Sequence, residues 1–440
     1  MKFKQIQLSP SQLLVLVFLF FILLGTLLLK LPIATPERVN WIDTLFTATS
    51  AMTVTGLVVV DTAADYTAFG QAVILILIQL GGLGIMSFAV LIFIMLGKKI
   101  GLKERLLIQQ SLNQTSLGGI IQLIRSLFIF SFTIEMTAMI ILALKWVPEY
   151  GWKNGVYYSL FHSVSAFNNA GFSVWPDSLM RYEGDPLINL VITSLFIIGG
   201  IGFTVLSDLW HKRNFKHLSL HSKLMIYGTF AMNVYALIMV FLLESRNPKT
   251  LGPLPFGEKL LGAYFQGVTP RTAGFNTVDI GSLHEATITL LLLLMFVGAG
   301  SASTGGGIKL TTFIVILLSV GSFLKGKKHI SVARRTLKDK MIVRSLAIST
   351  ISVLLILAAV FILNITEPTP FLNILFEVVS AFGTVGLSMG ITADLSPIGK
   401  VIIIFIMFLG KLGPLTLAFS LARPEQENNI RYSSEDILTG

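Results

Sequence analysis

Four segments of this chain carry residue types that could coordinate an ion. Residues 46–56 (FTATSAMTVTG), 161–171 (FHSVSAFNNAG), 264–274 (YFQGVTPRTAG) and 376–386 (FEVVSAFGTVG) each open on an aromatic residue and reach a glycine ten positions later. Those glycines, Gly56, Gly171, Gly274 and Gly386, lie 115, 103 and 112 residues apart, and each is followed by an apolar residue (Leu57, Phe172, Phe275, Leu387). Conducting a dehydrated cation requires oxygen ligands that several chain segments offer in rings. Backbone carbonyls do this without adding fixed charge, provided the chain takes dihedrals that glycine adopts at least cost. The three residues before each glycine differ: Thr53-Val54-Thr55, Asn168-Asn169-Ala170, Arg271-Thr272-Ala273 and Gly383-Thr384-Val385. Variable side chains around a fixed glycine fit ligands supplied by the main chain. Carbonyl rings suit K+, and no ring of four acidic residues accompanies the glycines to favour Ca2+. These residues are therefore predicted to form a selectivity filter, with K+ at the backbone of the four glycines.

The elements that must position them are apolar helices. Hydrophobic residues make up 53% of the chain and charged residues 13%, against about 25% charged in soluble domains. Runs long enough to span a bilayer, about 20 residues, recur at roughly 12–31, 70–97, 121–147, 187–209, 222–244, 286–323, 341–363 and 398–421. Each pair of runs brackets one glycine segment. Short stretches at 42–52, 156–167, 258–269 and 372–382 suit half-helices that enter the membrane and stop at the glycine. Non-helical backbone at membrane depth survives only where protein or a watery cavity satisfies it, so the four segments are expected to share a polar cavity. About 25 residues beyond each filter glycine comes a second cluster: Gly81, Gly82 and Gly84; Gly199, Gly200 and Gly202; Gly298 and Gly300; Gly410 and Gly413. The first two of these clusters are read as packing sites within long helices.

The expected fold is an all-α polytopic membrane protein of four helix–re-entrant pore loop–helix repeats. Eight transmembrane helices would stand in pseudo-fourfold arrangement around one pore. The repeats are expected at 11–110, 111–215, 216–335 and 336–421, flanked by cytoplasmic tails at 1–10 and 422–440.

Net charge is +10, and its distribution accounts for it. Placing both termini and the 98–125, 210–223 and 325–344 loops on one side collects 21 of the 33 Lys and Arg. Positive loops stay cytoplasmic, so both termini are expected inside, and contact with a lipid bilayer explains the charge without nucleic acid. The densest cluster is Lys325, Lys327, Lys328, Arg334, Arg335, Lys338, Lys340 and Arg344. The chain has no cysteine, which excludes disulfides and thiolate-ligated metals. No His-Glu-x-x-His or Gly-x-Ser-x-Gly occurs, and the reading is not an enzyme. No phosphate-binding glycine motif occurs either, so this chain is expected to bind no nucleotide itself.

With these motifs in hand, SAMTVTGL (50–57), SAFNNAGF (165–172), TPRTAGFNT (269–277) and SAFGTVGLS (380–388), the chain resembles the Trk/Ktr/HKT superfamily of K+ transporters, most closely the bacterial Ktr-type membrane subunits. The resemblance covers essentially the whole chain. It implies K+ uptake across a bacterial plasma membrane through a single-glycine filter. A glycine in the first repeat, where some plant relatives have serine, fits preference for K+ over Na+. The resemblance further implies a homodimer, a cytoplasmic RCK-type regulatory ring that binds ATP or ADP, and stimulation by Na+.

One helix should break. Residues 298–307 read Gly298, Ala299, Gly300, Ser301, Ala302, Ser303, Thr304, Gly305, Gly306, Gly307. Each glycine costs a helix roughly 1 kcal/mol relative to alanine, so the stretch is expected to form a loop below the filter. Ktr-type proteins carry an intramembrane gating loop here, and a gate is the expected role. Ionisable residues inside the membrane are functional candidates. Lys411 falls at the depth matched to Gly298 and at a family position where a basic residue approaches the pore. Lys309 is expected to anchor or cap the loop. Arg271 is expected behind the filter, beside Glu377, and Glu135 is expected to be a hydrogen-bond partner. The competing reading is a secondary transporter of another small solute, which typically uses two inverted repeats rather than four parallel ones.

Overall fold

The computed structural model describes residues 10–84, 87, 120–327, 329–332 and 335–413. The tail through residue 9, the tail 422–440, most of the 98–125 loop, Lys328, Arg334 and the far ends of the 70–97 and 398–421 runs lie outside the described residues. Helices dominate; a short hairpin pairs β1 (Ser331–Val332) with β2 (Arg335–Thr336).

Each repeat opens on a long helix. These are α1 (Pro10–Leu29), the first limb of α4 (Ile120–Phe167), α7 (Leu220–Glu244) and α11 (Asp339–Thr366). They contain the four helices long and apolar enough to cross a membrane among the described residues. Their outer faces keep Phe20, Phe132, Phe230 and Phe361 between 59% and 69% exposed, which suits hydrocarbon rather than water. A short helix follows in each repeat: α2 (Trp41–Thr53), the second limb of α4, α8 (Phe256–Val268) and α12 (Phe371–Gly383). In α4 the two limbs meet at Gly151, whose φ of 80° turns the chain.

The second helix of each repeat is shorter than its apolar run. These helices are α3 (Ala68–Leu83), α5 (Pro186–Ile201), α9 (Glu285–Phe296) and α13 (Pro397–Leu412). Three of them have 16 residues and α9 has 12; even the longer ones reach only about 24 Å at 1.5 Å per residue, short of a bilayer core of about 30 Å. The glycine clusters are the reason. Gly84, Gly202 and Gly413 have φ of 84°, 106° and 82°, which ends a right-handed helix. The clusters at 81–84 and 199–202 therefore do not sit within continuous helices, as expected from the sequence; they stop them. After Gly202 the chain resumes as α6 (Phe203–Lys212), bent by 92° from α5. In the third repeat the break widens to the loop 297–309 before α10 (Leu310–Leu324).

The core joins segments far apart in sequence. One buried cluster joins Phe46 and Leu57 of the first repeat to Phe376, Phe382 and Leu387 of the fourth. A second packs Met52 and Val54 with Phe161 and Phe172 and with Phe408 of the fourth. A third joins Phe167 to Phe265 and Phe275. Asp43 of α2 and Lys400 of α13 add an ion pair at 2.7 Å, with side chains 11% and 12% exposed. The aromatic landmark of the third repeat is corrected by one residue. Phe265 is fully buried, as Phe46, Phe161 and Phe376 are, whereas Tyr264 is only partly buried. The third segment is one residue shorter: its turn closes from Ala273 N to Thr269 O, four residues apart. In the others the corresponding bond spans five residues.

Candidate ion-conduction site

Three of the short helices end alike. Val54 N–H bonds the carbonyl of Ala51 while Thr55 N–H bonds that of Ser50. Asn169 and Ala170 repeat this onto Ala166 and Ser165, and Thr384 and Val385 onto Ala381 and Ser380. This double-bonded helix stop requires a left-handed residue just past the helix. Val54, Asn169 and Thr384 occupy it with φ of 57°, 58° and 50°, and Thr272 takes the matched place in the third repeat with φ of 73°. A β-branched residue there is a strained outlier, and such strain gathers at functional segments. Two residues on, Gly56, Gly171, Gly274 and Gly386 are again left-handed, at 92°, 68°, 80° and 91°. The same alternation of hand appears four times, so the main chain, not the side chains, is what the repeats share.

The four glycines adjoin one another in cyclic order. A methyl group on Gly56 would lie 2.4 Å from the carbonyl oxygen of Ala170. On Gly274 it would lie 2.3 Å from that of Val385, and on Gly386 2.2 Å from that of Thr55. On Gly171 it would come within 2.9 Å of the α-carbon of Gly274. No side chain fits. Each short helix ends a few residues before its glycine, and a helix C-terminus contributes roughly half a negative charge. A cation is what such a field favours.

A hydroxyl near the end of each short helix pins its segment, a role the sequence motifs do not reveal by themselves. Gly56 N–H donates to Ser50 Oγ and Gly386 N–H to Ser380 Oγ, both at 3.1 Å. Ser165 Oγ donates to Phe172 O at 2.7 Å and Thr269 Oγ1 to Phe275 O at 2.5 Å. The signal was the Ser or Thr that opens each motif.

The 297–309 loop docks against these segments. Thr304 Oγ1 donates to Asn169 Oδ1 at 2.8 Å, and Gly306 N–H donates to Thr384 Oγ1 at 2.8 Å. Asn169 Nδ2 reaches Thr272 Oγ1 at 3.1 Å. Gly305 packs so close that a methyl group would sit 2.3 Å from Thr272 Oγ1. The loop backbone also bonds the second repeat, Gly300 N–H to Gly200 O and Phe203 N–H to Ala302 O, both at 2.8 Å. Lys411 donates its ammonium to Thr304 O, and Lys309 donates to Gly305 O at 2.7 Å. Both lysines thus touch the loop directly, and Lys309 closes it on itself.

Arg271 turns away from its glycine, as expected, but its partner is not Glu377. Its guanidinium reaches Asn233 Oδ1 at 3.0 Å and Thr229 on α7. Glu377 is occupied by the hydroxyls of Ser388 and Thr392, at 2.8 and 2.5 Å. Helix α7 lies against α8 of its own repeat, so the arginine's reach is met locally. Glu135 accepts from Gln79 and Asn168, at 3.1 to 3.2 Å, the hydrogen-bonding role expected of it. Among the described residues no group of three His, Cys, Asp or Glu could hold a metal.

Apolar helices around four closely apposed backbone segments at glycine fit a membrane cation transporter. The chain belongs to the TrkH family of cation transport proteins, matching it over residues 9–432. It is 57% identical to the Ktr system potassium uptake protein B of Bacillus subtilis, covering 99% of this chain and 98% of that protein. It is 41% identical to the protein of the same name from Vibrio alginolyticus, over 98% and 95%. It is 38% identical to the potassium/sodium uptake protein NtpJ of Enterococcus hirae, over 99% and 98%. The potassium transporter TrkH of Vibrio parahaemolyticus, at 22% identity, shares the fold with a TM-score of 0.76 over 96% of this chain and 87% of that one. The protein is a polytopic α-helical Ktr-type membrane subunit, a transporter and not an enzyme.

Proposed function

We propose that this chain takes up K+ across a bacterial plasma membrane. The observation that carries the reading is the cyclic apposition of Gly56, Gly171, Gly274 and Gly386, each left-handed and each too close to a neighbouring repeat for a side chain. In this reading the four repeats surround one pore in pseudo-fourfold fashion, with eight spans once the broken second helices are counted. The carbonyls next to the glycines replace water around K+. The names of the B. subtilis and V. alginolyticus relatives support K+ as the substrate, and the name of NtpJ supports a part for Na+ as a stimulating ion.

The 297–309 loop acts as the gate. Its hydrogen bonds to Asn169 and Thr384, two residues before their glycines, support a place just inside the filter. The Lys411 contact holds it there. Both termini and the basic 325–344 region face the cytoplasm, where a homodimer of this chain meets an RCK-type ring. That ring, not this chain, binds ATP or ADP. The relatives' designation as parts of a Ktr system supports a partner subunit.

The test is Rb+ uptake into proteoliposomes, with and without the regulatory ring and with Na+ in competition. K+-competed Rb+ uptake is expected. Deleting residues 300–305 should raise flux per folded molecule and weaken its dependence on the ring. Uptake that K+ does not compete would overturn the substrate, and unchanged or lower flux after the deletion would overturn the gate.

A further inference from the structure

The elbow at Gly202 has no part in the filter, and the segment beyond it is chemically distinctive. Residues 209–217 are all exposed. They include Leu209, Trp210 and Phe215 at 39%, 63% and 40% exposure. Lys212, Arg213 and Lys216 lie among them, and no acidic residue does. Lys212 is engaged by Asp208 at 2.6 Å. Arg213 and Lys216 have no carboxylate partner among the described residues.

The apolar part is ordered rather than loose. Trp210 packs edge-on against Phe130 at 5.5 Å, and Phe215 against Tyr227 at 5.4 Å. Tyr227 and Phe230 of the long helix α7 are themselves 62% and 69% exposed, so the aromatic surface runs on from the face that meets hydrocarbon. The 92° bend sets α6 across the direction of α5. A surface helix and turn that expose aromatic side chains together with basic ones lacking a carboxylate partner suit attachment to an anionic bilayer surface.

We infer that α6 and the turn after it bind the headgroups of anionic phospholipids. Arg213 and Lys216 hold the phosphate, and Trp210 and Phe215 seat in the acyl boundary. The continuity of aromatic surface with α7 favours lipid over a protein partner. This surface is joined to the loop. Phe203 N–H donates to Ala302 O at 2.8 Å, and a methyl group on Gly202 would strike Ser301 O at 2.5 Å. Lipid drawn to α6 therefore bears on residues 301–302, and flux depends on the anionic-lipid fraction. That coupling rests on the gate reading above; the binding does not.

Purified full chain is reconstituted in phosphatidylcholine carrying brominated phosphatidylglycerol or brominated phosphatidylcholine at equal mole fraction. Tryptophan quenching assigned to Trp210, by difference from Trp210→Phe, should be about twofold greater with the anionic lipid. Arg213→Asn with Lys216→Gln should equalise the two, asparagine being chosen because φ at 213 is 47°. Equal quenching in the wild type, or a preference that survives the double variant, overturns the inference. So does a Trp210 that neither lipid reaches, because protein then covers the surface. Rb+ flux is measured in unbrominated vesicles of the same compositions. An anionic-lipid effect absent from the wild type, while quenching keeps its preference, removes the coupling and leaves the surface. If deleting residues 300–305 fails to raise flux, the gate reading falls and the quenching result still decides the lipid site.

Discussion

The hydroxyl of Thr304 donates to Oδ1 of Asn169 across 135 residues of sequence, and the main-chain carbonyl of the same threonine receives Lys411. One loop residue is therefore held by the second and fourth repeats together. A net hydrogen bond of about 1 kcal/mol shifts an equilibrium roughly fivefold. Thr304→Val should then raise ring-independent Rb+ flux about fivefold. Combined with Lys411→Met it should give less than the product of the two effects, since both act on one contact set. Flux at the wild-type level in Thr304→Val would show that this contact does not hold the loop.

Serine at the glycines of the proposed filter makes a second case. At Gly386 a Cβ would stand 2.2 Å from Thr55 O, and φ is 91°. Strain and clash must displace the carbonyl that the neighbouring repeat presents. Gly386→Ser is expected to weaken K+ affinity at least tenfold, the effect of about 1.4 kcal/mol, and to relax discrimination against Na+. Competition of Na+ with Rb+ uptake measures both. Wild-type selectivity in the corresponding variants of all four glycines would refute the filter.

The short helices were legible from sequence to within a few residues, because an apolar run that stops at a glycine has few other meanings in a membrane. The loop at 298–307 was legible for the same reason: five glycines in ten residues cannot remain helical. What stayed hidden was long-range. Arg271 could be placed behind its segment by charge alone, yet its partner Asn233 lies 38 residues away on α7, and no local pattern announces it. The helix breaks at Gly84, Gly202 and Gly413 were missed because small residues also serve close packing. Only the left-handed dihedral at the last glycine of each cluster separates the two uses.

Those clusters in fact do both. A methyl group on Gly199 would lie 1.9 Å from Phe167 O, where α5 backs onto the end of its own short helix. Gly199→Ala should lower the yield of folded protein and its apparent Tm in detergent. Gly321, in α10, has nothing within 4 Å of that position. Gly321→Ala should hold or raise Tm, since alanine is favoured in a helix interior by about 1 kcal/mol. Equal behaviour of the two variants would contradict the packing role of Gly199.

Helices α2 and α13 meet although they lie at opposite ends of the described chain. Asp43 and Lys400 stand 357 residues apart in sequence, yet their side chains meet at 2.7 Å with little exposure. Deleting one member of a buried pair leaves the other charge without a partner, at a cost of about 3 kcal/mol. Removing both exchanges the pair for a neutral contact, which is often close to harmless. Lys400→Met should therefore lower apparent Tm clearly, and Asp43→Asn with Lys400→Met should recover most of the loss. Recovery follows only if the damage came from an unpaired Asp43. A double variant as unstable as the sum of the singles would mean that each residue is held by other contacts, and that the seam between the first and fourth repeats does not rest on this pair.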